Sequence, residues 1–187
     1  MIYPIVTYGD PILRQRAVPI AEGTPLQALV RDLFATMEQA QGIGLAAPQI
    51  GQSILLFVVD VTQHPTVTAH KKTHKKAFIN PVIEVDETVV PTLCEEGCLS
   101  IPNVLVTVPR REKIKISYFD AQWKAHQEVC AGFLARVLQH EYDHLEGKLH
   151  IDYASPLKRR LLKNKLIAIR KEQPGVPYER STLLSTL

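Results

Sequence analysis

Residues 131–147 read AGFLARVLQHEYDHLEG, and the organisation of the chain follows from how this run folds. Leu134, Val137, Leu138 and Leu145 recur at helical spacing, and Gly147 stands where a helix would stop. The pattern predicts a core helix over residues 131–145. Within it lies an H-E-x-x-H run. At 3.6 residues per turn, His140 and His144 stack on one face, and Glu141 is turned from His140 by about 100°. Two imidazoles so placed can share one metal ion, with a carboxylate in reach of a water beside it. Polar groups on a core helix need partners, which argues against a solvated helix that carries two histidines by accident.

A catalytic metal site takes three protein ligands and keeps a position open. Several residues compete for the third place. Cys98, in the run Glu95-Glu96-Gly97-Cys98-Leu99-Ser100, offers a thiolate beside a glycine; Cys94 lies four residues earlier. Cys130 precedes the helix and reads as structural. Downstream, His150 follows His144 by only six residues and lacks the longer spacer of protease-type sites.

Outward from this helix, Leu26, Leu29, Val30, Leu33 and Met37 predict a second one over residues 26–41, with Thr24 as its cap and Pro25 in its first turn. Residues 53–61 and 77–86 read as strands, with Pro81 marking an edge or a bulge. Residues 104–108 and 113–119 alternate as half-buried strands do, and 120–123 form a hairpin turn into 124–129. A last helix spans about 155–171. Strands cluster mid-chain and do not alternate with helices. The expected class is therefore α+β, with antiparallel sheets packed around a central metal-binding helix and flanked by N-terminal and C-terminal helices. One domain over residues 1–172 and an extension over 173–187 are expected, with a polar surface loop at 62–76.

Composition narrows the classes. The 187 residues carry 45% hydrophobic and 22% charged side chains and a net charge of +3, which excludes wholesale disorder and gives no global signature of nucleic-acid binding. No run of about 18 apolar residues occurs, and residues 1–17 lack the pattern of a secretory leader, so no membrane association is expected. Three cysteines without disulfide spacing fit a reducing cytoplasm.

A third run, residues 42–51 (GIGLAAPQIG), has neither the lysine of a phosphate loop nor a preceding strand. It reads as a helix stop and turn whose small residues admit a ligand, with the Gln49 amide as donor. These three runs together resemble the peptide deformylases, whose G-x-G-x-A-A-x-Q, E-G-C-x-S and Q-H-E-x-D-H motifs stand here at residues 42–49, 96–100 and 139–144. The resemblance extends over about residues 3–170.

It implies an enzyme that removes the formyl group from the N-terminal methionine of nascent polypeptides in a bacterial cytoplasm. It also implies Cys98, His140 and His144 as ligands of one divalent metal, iron(II) with zinc or nickel as substitutes. Glu141 would be the general acid and base, and the Gln49 side chain and Leu99 backbone N–H the oxyanion donors. A formyl group needs only a small acyl pocket, which suits Gly42 and Gly44. Ile43, Leu99 and Val137 are candidates for the methionine slot, and Glu96 and Gly97 for the substrate backbone. Glu96 could instead anchor its loop through an arginine such as Arg110. Gln139 and Asp143 would orient the imidazoles or the backbone, or Asp143 would instead pair with Arg136. The basic C-terminal helix is either a solvated face or a contact for ribosomal RNA. The rival readings are a zinc endopeptidase and a binding module with a structural metal closed by Cys94.

Overall fold

The computed structural model describes residues 1–62 and 75–171; the expected loop at 62–76, apart from its ends, and the extension at 173–187 lie outside them. Among the described residues there are three α-helices, α1 (Gln27–Gln39), α2 (Gly132–Leu145) and α3 (Pro156–Lys171). Seven strands lie between the first and the second: β1 (Gly44–Ala46), β2 (Leu56–Asp60), β3 (Lys75–Val85), β4 (Thr92–Cys98), β5 (Ile101–Arg110), β6 (Lys113–Phe119) and β7 (Ala125–Ala131). They form a five-stranded antiparallel sheet in the order β1-β2-β3-β6-β7 and a separate two-stranded hairpin, β4-β5.

Helices cover both faces of the larger sheet, and the alternation of β2 explains how. Phe57 and Val59 point to one face and pack in a cluster with Ala135, Val137 and Leu138 of α2. Leu56 and Val58 point to the other and pack with Val30, Leu33 and Met37 of α1. β2 is buried on both faces, so it reads as an unbroken apolar run and not as an alternating one. A third cluster joins β5 to α3 through Val106, Val108, Leu166 and Ile169.

One local expectation changes and another is met. Thr24 does not cap α1; its hydroxyl turns back to the Ala21 carbonyl, and Leu26 occupies the cap position without a side-chain bond. Pro81, expected at an edge or a bulge, lies just past Ile79, where the pairing of β3 with β2 ends. It sits where the β3–β6 register slips between Ile79 and Val82, a bulge that accommodates the missing N–H. After α2 the chain turns sharply at Gly147 (φ +71°), where a Cβ would stand 2.7 Å from the Arg14 carbonyl oxygen. Only glycine fits that close approach.

Candidate metal centre

Three separated segments meet over α2. The helix supplies His140, Glu141 and His144; the end of β4 supplies Cys98; and a 3-10 turn, Ala47–Ile50, supplies Gln49. The donor atoms of Cys98, His140 and His144 all lie within 4.8 Å of one another. Sγ of Cys98 is 3.3 Å from Nε2 of His144, and the two imidazole rings stand edge to face with centroids 5.1 Å apart. Cys94 is buried further along β4, with its thiol toward the Thr92 carbonyl, and a strand of four residues spans about 13 Å. It cannot complete this set. Cys130 packs in the core against α2. His150 is buried with its Nε2–H donated to the Val104 carbonyl at 3.1 Å; its ring lies 6.1 Å from that of His140, outside the cluster.

The charges around these atoms are set by pairing. Burial alone would raise the Cys98 thiol, but His144 and His140 pull it well below the ordinary range, so it is a thiolate. Burial would lower His140, and its bonds to Cys98 and Glu96 push it well above instead. Burial would likewise raise the Glu96 carboxyl; hydrogen bonds from Arg110 and His140 outweigh it and hold it at about 2. A thiolate and two imidazoles, one fixed by a carboxylate at its other nitrogen, form a donor set that suits a divalent transition metal.

Glu141 is not part of that set. Burial pushes its carboxyl up to about 7 against the pull of His140 and His144. Its Oε2 is buried without a partner, and Oε1 lies against Gly44 so closely that a methyl group there would collide with it. Gln49 is held at both ends: its Oε1 accepts from the Ala46 N–H at 2.8 Å, which directs its NH2 toward Ser100 Oγ at 3.2 Å and Cys98 Sγ at 3.7 Å.

A cavity of about 130 Å³ opens beside these groups. Ile43, Gly44, Gln49, Glu96, Gly97, Cys98, Leu99, Val137, His140 and Glu141 all lie on its wall, and His144 stands behind it. Of the two readings of Glu96, its bonds favour anchoring. Its oxygens accept from Arg110 Nε at 2.8 Å, Arg110 Nη2 at 2.9 Å and His140 Nδ1 at 2.9 Å. Asp143 does not pair with Arg136. It accepts from Arg110 Nη1 at 2.7 Å and from the Tyr153 hydroxyl at 2.9 Å. Gln139 reaches no imidazole; it brackets the Arg111 backbone from both sides. Phe133 and Arg136 also line the cavity and were missed, although they precede His140 by seven and four residues, on its own face of the helix.

A helix that presents two histidines and a buried carboxylate to a strand-borne thiolate defines a metal-dependent hydrolase site. Residues 2–160 match the family model for polypeptide deformylase, and the chain belongs to that family, metalloenzymes that remove the N-formyl group from nascent polypeptides. A peptide deformylase from Cytophaga hutchinsonii is 49% identical over 181 residues, covering 95% of this chain and 96% of the relative. The crystal structure of a peptide deformylase from Legionella pneumophila superposes with a TM-score of 0.79 at 38% identity, covering 93% of this chain and all of that one. A Met-Ala-Ser-bound peptide deformylase from Acinetobacter baumannii superposes with a TM-score of 0.73 at 31% identity, covering 82% of this chain and 98% of that one. Among the described residues no helix is long and apolar enough to cross a membrane.

Proposed function

We propose that Cys98, His140 and His144 hold one divalent ion, iron(II) in the native enzyme with zinc or nickel as substitutes, and that the cavity beside them takes formyl-methionyl peptides. A mixed thiolate and imidazole set accepts all three metals, and the resemblance to the family favours iron. When bound, such an ion would supply Lewis acidity, lowering the pKa of a bound water to about 7 and polarising the formyl oxygen. Glu141 takes the proton of the attacking water and delivers it to the amine nitrogen as the C–N bond breaks. The observation that carries this role is the buried Glu141 carboxylate with an unpartnered oxygen, pinned under Gly44 beside the donor cluster.

Gln49 Nε2 and the Leu99 backbone N–H stabilise the oxyanion. Loss of one such donor costs on the order of 100-fold in rate. Gly42 and Gly44 keep the acyl end narrow, Gly97 lies along the substrate backbone, and Ile43, Leu99 and Val137 form the methionine slot. Glu96 serves the substrate through His140, whose ring it orients. The Met-Ala-Ser complex of the Acinetobacter relative supports a peptide of this kind in the cavity. The catalytic domain spans residues 1–172 and residues 173–187 are an extension. The enzyme works in a bacterial cytoplasm, where formylated chains are made. Lys158, Arg160 and Lys163, on the exposed side of α3, contact ribosomal RNA, and that affinity falls as salt rises.

The test is formate release from formyl-Met-Ala-Ser by anaerobic iron(II)-loaded protein, beside Glu141→Ala. Release that collapses in the variant while the metal stays bound is expected. Release that persists in the variant, or none from the metal-loaded wild type, overturns the assignment.

A further inference from the structure

The wall formed by α2 carries more than the metal-binding face. Phe133, Arg136, Val137, His140 and Glu141 all border the same cavity, a continuous stripe at helical spacing. Arg136 therefore borders the site. It is half-buried, and its guanidinium lies over the Phe133 ring, 5.4 Å from the centroid. Arg14, Arg110 and Arg111 each pair with a carboxylate, whereas Arg136 forms no ion pair among the described residues.

We propose that Arg136 is a specificity-determining residue that reads an acidic side chain in the substrate shortly after the formyl-methionine. The proposal rests on the reading that formyl-methionyl peptides occupy this cavity. A guanidinium is planar and matches a carboxylate through two parallel N–H donors. The Phe133 ring holds its plane, so less conformational freedom is lost when a partner arrives. Val137 and Leu105 make the surrounding wall apolar, and a charge pair formed there is screened less than one in water.

Position fits the same reading. Arg136 lies four residues before His140, a rise of about 6 Å along α2. An extended peptide advances about 3.3 Å per residue, so the cation stands about two residues from the reacting bond. Across the cavity, exposed Glu95 of β4 carries the opposite charge and forms no ion pair among the described residues. An acidic substrate side chain is thus drawn to the α2 wall and repelled from the β4 wall.

The experiment compares four peptides, formyl-Met-Asp-Ala, formyl-Met-Asn-Ala, formyl-Met-Ala-Asp and formyl-Met-Ala-Asn, each amidated and unamidated at its C-terminus, with iron-loaded enzyme. At one of the two positions the wild type should favour Asp over the isosteric Asn by about tenfold in kcat/KM, mostly through KM, and the ratio should shrink with salt. In R136M the ratio should fall toward one, and R136K should keep part of it, with metal content and circular dichroism monitored in both. A wild-type ratio of one or below overturns the proposal, and so does a preference that survives R136M. A preference seen only with unamidated peptides assigns the effect to the terminal carboxylate and overturns the side-chain reading. Absence of formate from all four peptides overturns the substrate reading itself and this inference with it.

Discussion

Nδ1 of His140 lies 2.9 Å from Oε2 of Glu96. A carboxylate held at about 2 only accepts, so the proton sits on Nδ1 and Nε2 is the nitrogen left for the metal. The contact continues inward through Arg110 to Asp143 and on to the Tyr153 hydroxyl. A buried relay of charge thus fixes the tautomer and the ring plane of one ligand.

Removing the charge at its first link should loosen the metal and spare the fold. Glu96→Gln is expected to weaken metal affinity by 10- to 100-fold, roughly the usual effect of losing such an outer partner. Competition with a chromophoric chelator measures it. Unchanged affinity would show that the ring is held by packing alone.

Arg110 is 3% exposed and serves two carboxylates. Arg110→Ala leaves both buried carboxylates without their shared guanidinium and should cost about 3–5 kcal/mol in urea unfolding. The triple variant Arg110→Met, Glu96→Gln, Asp143→Asn removes the orphaned charges and should recover much of that loss. A single variant as stable as the wild type would refute the account.

Gly44→Ala puts a methyl group into the Glu141 carboxylate. Displacing that side chain by about 1 Å should lower kcat on the order of 100-fold, with metal content retained. An active Gly44→Ala enzyme would mean that the carboxylate need not sit where it does.

Acid sensitivity should report on a different cluster. Lys76 Nζ lies 2.7 Å from both oxygens of Glu128, and the Tyr118 hydroxyl donates to one of them at 2.6 Å. Burial alone would raise Glu128, but these partners outweigh it and lower the carboxyl. A depressed carboxyl stabilises the fold above its unfolded pKa of about 4.3, and that stability is lost as pH falls through the lower folded value. Glu128→Gln should therefore flatten the stability profile below about pH 5 and run parallel to the wild type above it. Urea midpoints from pH 3 to pH 7 decide this, and profiles of equal slope throughout would contradict it.

α1 and α2 were legible because each buries an apolar stripe, and α2 also carries its chemistry at local spacing; α3 buries only Leu166 and Ile169, while Leu157 and Leu161 stay exposed. β1 was not legible: three residues in a glycine-rich run, buried on both faces, show neither alternation nor β-branched side chains. β4 was missed because Thr-Leu-Cys-Glu-Glu-Gly-Cys reads as polar, and the burial of Glu96 depends on Arg110, fourteen residues away. Spacing alone leaves Cys94 and Cys98 both open and only the family motif singles out Cys98; the hairpin register that separates them slips between Glu96 and Cys98. Helical spacing offers Asp143 the imidazoles, the backbone or Arg136 of its own helix, whereas its partner Arg110 lies 33 residues back, on β5. Local periodicity carries no information about such long-range pairs.

The hairpin that carries Cys98 is bonded to itself and to neither edge of the larger sheet. Both histidines ride on a helix embedded in the core, so the donor set is divided between two bodies joined by side chains. A bound ion would act as a rivet across that seam. Chelation should then unfasten the hairpin first, and amide exchange in β4 and β5 should quicken well before exchange in α2.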